Sequence, residues 1–113
     1  MKWMLHDRKN KKLTFKLEEH EIVDDMPYHL YFSHPATNQP EARMVDVRLG
    51  PTTVNSSWEL VFKLPDDLPL HLGKCEWFID GHSDTKGSYI VATGFTVANN
   101  IVCHQACSKR CYK

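Results

Sequence analysis

The stretch SWELVFKLPDDLPLHLGKCEWFIDGHSDTKGSYIVATGFTV, residues 57–97, decides the fold. In its first run Trp58, Leu60, Phe62 and Leu64 alternate with Glu59, Val61 and Lys63, the period of two that a half-buried strand requires. Cys75, Trp77 and Ile79 alternate in the same way with Glu76, Phe78 and Asp80. A third run sets Tyr89, Val91, Thr93, Phe95 and Val97 against Ile90, Ala92, Gly94 and Thr96. Three strands are predicted. Residues 80–87 are polar and bounded by Gly81 and Gly87, which predicts an extended hairpin loop between the last two. Pro65 and Pro69 keep strand structure out of the connection before them.

Working outward, Trp3 and Leu5 share one face of a short N-terminal strand, and Leu13, Phe15 and Leu17 one face of the next. The charged turn between them, residues 7–12, reads as a solvated hairpin loop rather than a basic docking site, because Glu18, Glu19, Glu21, Asp24 and Asp25 follow it closely. A helical turn fits residues 18–25, ended by Pro27. Tyr28, Leu30 and Phe32 mark a third strand, and Val45, Val47 and Leu49 a fourth. SHPATNQP, residues 33–40, and residues 50–56 are loops. Asn55, Ser56 and Ser57 form an N-x-S pattern that has no consequence without export.

Seven short strands separated by Gly and Pro turns predict an all-β fold, a single β-sandwich of about seven antiparallel strands over residues 1–98, followed by a Cys-rich tail over residues 99–113. A closed barrel has the same periodicity and competes with it. The expected inward set is Leu13, Phe15, Leu17, Leu30, Phe32, Val45, Val47, Trp58, Leu60, Phe62, Trp77, Ile79, Val91 and Phe95.

Size and charge bound the function. A chain of 113 residues buries enough surface to fold without metal or disulfide. Its 14 basic and 14 acidic residues cancel, so no long-range field draws it to nucleic acid or anionic lipid. No apolar run has the length of a membrane span, and the first five residues are too short and interrupted for a secretory segment, so a cytoplasmic location is expected.

The tail is the candidate for chemistry. Cys103, His104, Cys107 and Cys111 supply four metal-type ligands within nine residues and could in principle surround a tetrahedral zinc. Steps of four place the three cysteines along one face of a short helix, where adjacent Cys103 and His104 converge poorly, and the second ligand pair of a structural zinc site is missing. Free thiols on a terminal helix are therefore the main expectation, with zinc and a disulfide as the alternatives, and no cofactor is otherwise implied. Asp80, His82 and Asp84 lack the ligand order of a calcium loop, and Asp66 and Asp67 read as turn formers. The seven histidines show no metalloprotease spacing, and no nucleophile stands in a recognisable motif.

The run LPLHLGKCEWFIDGHSDTKGSYIVATGFTV, residues 68–97, resembles the closing strands of small immunoglobulin-like modules of bacteriophage virion proteins, the tail and baseplate components in particular. Leu72 and Gly73 lead into a strand bearing Trp77 and Ile79; a polar hairpin ends at Gly87, and Gly94, Phe95 and Val97 give the G-x-F-x-V close. The resemblance implies an immunoglobulin-like sandwich with a structural role in a virus particle.

The expected function is accordingly a non-enzymatic structural or attachment component of a larger assembly, a phage virion by that resemblance, bound to copies of itself or to neighbouring subunits. Exposed loops carry such contacts, here Ser33, His34, Pro35 and Asn38 in one and His82, Asp84 and Lys86 in the other. The alternatives are a small intracellular binding module or inhibitor that uses the same loops, and a zinc-dependent protein built on the tail.

Overall fold

The computed structural model describes residues 1–21, 26–33, 45–66, 75–84, 87–97 and 100–103. Eight strands run through them: β1 Trp3–Asp7, β2 Lys12–Lys16, β3 Tyr28–Ser33, β4 Val45–Thr52, β5 Glu59–Lys63, β6 Glu76–Ser83, β7 Gly87–Val97 and β8 Asn100–Cys103. One 3-10 turn, Glu19–Glu21, falls in the acidic stretch. The strands form two antiparallel sheets, β1-β2-β5 and β4-β3-β6-β7-β8. Strand β5 returns to pair with β2, and β6 returns to pair with β3, which is the A-B-E and C-F-G order of immunoglobulin-type sandwiches. The competing barrel is not formed.

The core lies between the sheets, where Leu13, Phe15, Leu60 and Phe62 of one face Leu30, Phe32, Trp77 and Ile79 of the other. Phe15 is its hub. Its ring meets Phe62 edge-on, with centroids 5.9 Å apart, and Trp77 at 5.3 Å with a 52° tilt. Burying roughly 200 Å² of indole at ~25 cal/mol/Å² makes Trp77 alone contribute about 5 kcal/mol of transfer free energy.

Where the structure departs from the periodicity, a local cause is visible. Strand β7 was expected to turn Val91 and Phe95 inward; Val91 does pack against the core, while Phe95 is only half-buried. Ile79 pairs with Ala92 but Asp80 pairs with Ile90, so Val91 is a bulge residue, and beyond it Gly94 and Thr96 are buried. Trp77 is the reason. Its indole crosses over Gly94 and its Nε1 donates to the Val102 carbonyl at 2.9 Å, so any Cβ at position 94 would collide with the indole. Thr96 satisfies its hydroxyl against the buried Cys75 backbone, accepting from its N–H at 2.9 Å.

Two further departures concern the ends of the sandwich. Trp58 is not inward; it is 42% exposed, in the left-handed region at φ 60°. The loop leading to it is built on Asn55, whose Oδ1 accepts from Ser57 N and Glu59 N at 2.9 and 3.0 Å, and these bonds fix a reversal that carries Trp58 out of the alternation. In β1 the inward residues are Met4 and His6, leaving Trp3 and Leu5 on the outer side. Strands β6 and β7 also extend to Ser83 and from Gly87, into residues expected to be loop. Gly81 permits this because Met26 and Tyr28 pack directly on its Cα side. Likewise β4 runs to Thr52, through residues expected to be loop.

The predicted tail begins too early. Residues 100–103 form β8 and pair with β7, so the sheet domain reaches Cys103, and the helical spacing of the cysteines does not describe Cys103.

Candidate functional site

The outer face of the five-stranded sheet gathers a row of aromatic and charged side chains. Alternation along β3 puts His29 and Tyr31 on this face, because Tyr28, Leu30 and Phe32 are taken by the core. Along β6 the same rule turns Glu76, Phe78 and Asp80, all half-buried, to this side. Register then aligns them. Arg48, Tyr31, Phe78 and Thr93 stand in one row across four strands, and His29, Asp80 and Ile90 in the next.

Within the first row Tyr31 and Phe78 are stacked, with centroids 4.7 Å apart and planes 15° from parallel. The Arg48 guanidinium lies over the other side of Tyr31, 5.8 Å from the ring centroid. Arg48 Nη2 is also 3.0 Å from His29 Nε2, so it donates to a neutral imidazole. Partial burial, and secondarily the Arg48 charge, push the His29 pKa below its ordinary value, with Asp80 opposing them. The result is a cation–aromatic–aromatic stack. Ile90, 60% exposed, extends the apolar surface at one side, and carboxylates of Glu76 and Asp80 flank Phe78.

Such a face can contact a partner through ring edges, dispersion and charge, and the His29 lone pair is already occupied by Arg48.

The residues expected to carry function are distributed unevenly. Ser33 ends β3 and is fully buried, opposite Glu76 and Val45, so it is not a displayed loop residue. His34, Pro35, Asn38 and Lys86 lie outside the described residues, as do His104, Cys107 and Cys111. His82 and Asp84 are exposed at the β6–β7 turn, where His82 Nδ1 is 2.9 Å from Ser88 Oγ and Nε2 is 3.9 Å from Asp84 Oδ1. Cys103 is disulfide-bonded, and its sulfur sits 4.0 Å from Met4 Sδ. A disulfide sulfur is not a thiolate ligand, so in this state Cys103 does not fit a zinc site. Cys75 is a free, buried thiol. Among the described residues no three His, Cys, Asp or Glu side chains group as a metal site, and no helix is long and apolar enough to cross a membrane.

Sequence reasoning missed the Arg48–Tyr31–Phe78 stack. The signal was present in Tyr31 and Phe78 on the polar side of their strands, where alternation leaves solvent-facing positions; only the register brings them together. Comparison with protein-family models, with curated proteins and with solved structures finds no match for this chain.

Proposed function

We propose that the chain is a non-enzymatic structural or adaptor module that joins a larger protein assembly through the outer face of its five-stranded sheet. The observation that supports this most directly is the Arg48–Tyr31–Phe78 stack, a rigid aromatic and guanidinium cluster displayed on an outer face. Interface centres favour these residue types, since aromatic rings bring large contact area with few rotamers to freeze and the planar guanidinium of Arg adds several donors and a stacking surface. The flanking Glu76 and Asp80 add charge of the opposite sign and so a directional preference for the partner. His82 and Asp84 lie farther along β6 and its turn and belong to the same surface. The setting in a phage virion is what the resemblance of residues 68–97 implies.

A photo-crosslinking residue placed at position 78, with position 9 as control, tests the reading in cells that make the protein. Covalent adducts to other polypeptides are expected at 78 and not at 9, where Lys9 occupies an exposed turn. Equal labelling at both positions, or none at 78, refutes it.

A further inference from the structure

The connection from β4 to β5 contains the N-x-S pattern Asn55, Ser56 and Ser57, and its folded form bears on what the pattern can do. Residues 55–58 make a tight turn, closed by Trp58 N donating to the Asn55 carbonyl at 3.1 Å, while Asn55 N donates to the Glu59 carbonyl at 3.0 Å. The Asn55 side chain folds back over the same turn. Its Oδ1 accepts from Ser57 N at 2.9 Å and from Glu59 N at 3.0 Å, the first being the bond of an asparagine turn, from the residue two places on. Every one of these bonds uses the backbone or Oδ1. The amide nitrogen Nδ2, the atom to which an N-linked sugar is attached, makes only a long approach to Glu59 Oε1 at 3.4 Å. All four residues of the turn are exposed.

A second, independent observation comes from β8, where Cys103 is disulfide-bonded. Disulfides form and persist where the chain folds under oxidising conditions, and a reducing cytoplasm keeps such thiols apart. The lumen in which exported eukaryotic chains become oxidised is also where N-x-S asparagines on surface loops are glycosylated.

We propose that Asn55 is an N-glycosylation site and that the chain folds in the oxidising, exporting compartment where such glycans are attached. The donor is a lipid-linked oligosaccharide diphosphate. Nδ2 bonds to the anomeric carbon of the first sugar, the anomeric C–O bond breaks, and the lipid diphosphate leaves with that electron pair; one amide proton passes to a base of the transferase. The Ser57 hydroxyl is the third-position group that the transferase requires. Modification and fold are compatible because the substituted amide keeps Oδ1, and with it both bonds that shape the turn. It also keeps one N–H. The proposal goes beyond the assembly role and does not rest on it; an occupied Asn55 sets that assembly outside a cell or on its export route, in place of a phage particle.

Intact mass of the full chain from the cells that make it, taken before and after peptide N-glycosidase treatment in heavy-oxygen water, reads the site. The mass is expected to fall on treatment, with position 55 left as an aspartate carrying one heavy oxygen. Ser57→Ala should lose the glycan and leave the melting temperature of the enzymatically deglycosylated chain unchanged, since Ser57 bonds to the turn through its backbone N–H alone. Ser57→Thr should keep the glycan. Alkylation of the same sample without reduction should leave Cys103 unlabelled. A chain without a glycan on Asn55, a glycan that persists in Ser57→Ala or is lost in Ser57→Thr, or a Cys103 that labels as a free thiol overturns the proposal. Cross-linking through position 78 is read separately, so the assembly role stands or falls on its own result.

Discussion

Gly94→Ala adds one methyl group to the chain at the point where the Trp77 indole crosses β7. That carbon meets the six-membered ring of Trp77 and the Val102 carbonyl at distances no real Cβ adopts, and both neighbours are held: the indole by the core, the carbonyl by the β7–β8 ladder. Overpacking of this kind costs ~1–3 kcal/mol. Displacing the indole also breaks its bond to Val102 O, for about 1 kcal/mol more. The expected loss is about 3 kcal/mol, against a total of roughly 6–17 kcal/mol for a chain of this length, with a fall in Tm of about 12 °C. Urea unfolding followed by tryptophan emission and by far-ultraviolet circular dichroism measures it. The mechanism makes a stricter demand on the pair: in Trp77→Phe the benzo ring that obstructs the methyl is gone, so the double variant should be less destabilised than the sum of the singles by at least 1 kcal/mol. If Gly94→Ala costs less than 1 kcal/mol, or if the two changes simply add, the account of why β7 turns its small residues inward is wrong.

Three other outcomes are expected. His6, through burial first and then Arg8, and His29, through burial first and then Arg48, both have pKa values below the ordinary 6.5; the unfolded chain therefore takes up their protons first, stability is fully present above pH 6.5, and it declines as the pH falls below that value. Thermal melts from pH 7.5 to 5 should show the decline, and His6→Leu should flatten it. Trp58→Gly relieves a left-handed backbone that costs a side-chain-bearing residue ~1 kcal/mol, so it should hold or raise the denaturant midpoint, whereas Asn55→Ala, which removes the acceptor of two backbone N–H groups, should lower stability by about 1–2 kcal/mol. Cys75 should resist alkylation in the native protein and react on unfolding, as read by intact mass.

Strand identity was legible wherever apolar and polar residues alternate without interruption. Leu13 and Phe15, Leu30 and Phe32, Leu60 and Phe62, Trp77 and Ile79 all lie in the core as their spacing requires. Alternation says which residues share a side, though not which side faces in. In β7 Gly94 and Thr96 took the inward side, and a tryptophan of the neighbouring strand occupies the space over Gly94, a cross-strand fact invisible along the chain. Trp58 was misplaced for a local reason: the Asn55 turn resets the count just before β5. Strand β8 was hidden in a four-residue segment, too short for any period to register. The stack on the outer face depends on register between β3, β4 and β6, and the sequence carries only its separate members.

The Asn55 turn has a chemical future as well as a shape. Its two structural bonds are accepted by the side-chain oxygen, while the amide nitrogen only reaches toward Glu59 Oε1 at 3.4 Å. Direct hydrolysis of that amide replaces the nitrogen with a second oxygen and keeps the acceptor that shapes the loop. What it changes is the outlook of Glu59, which then sees a carboxylate in place of an amide. The turn would survive that one change, and the alteration would be felt as one more negative charge at the start of β5.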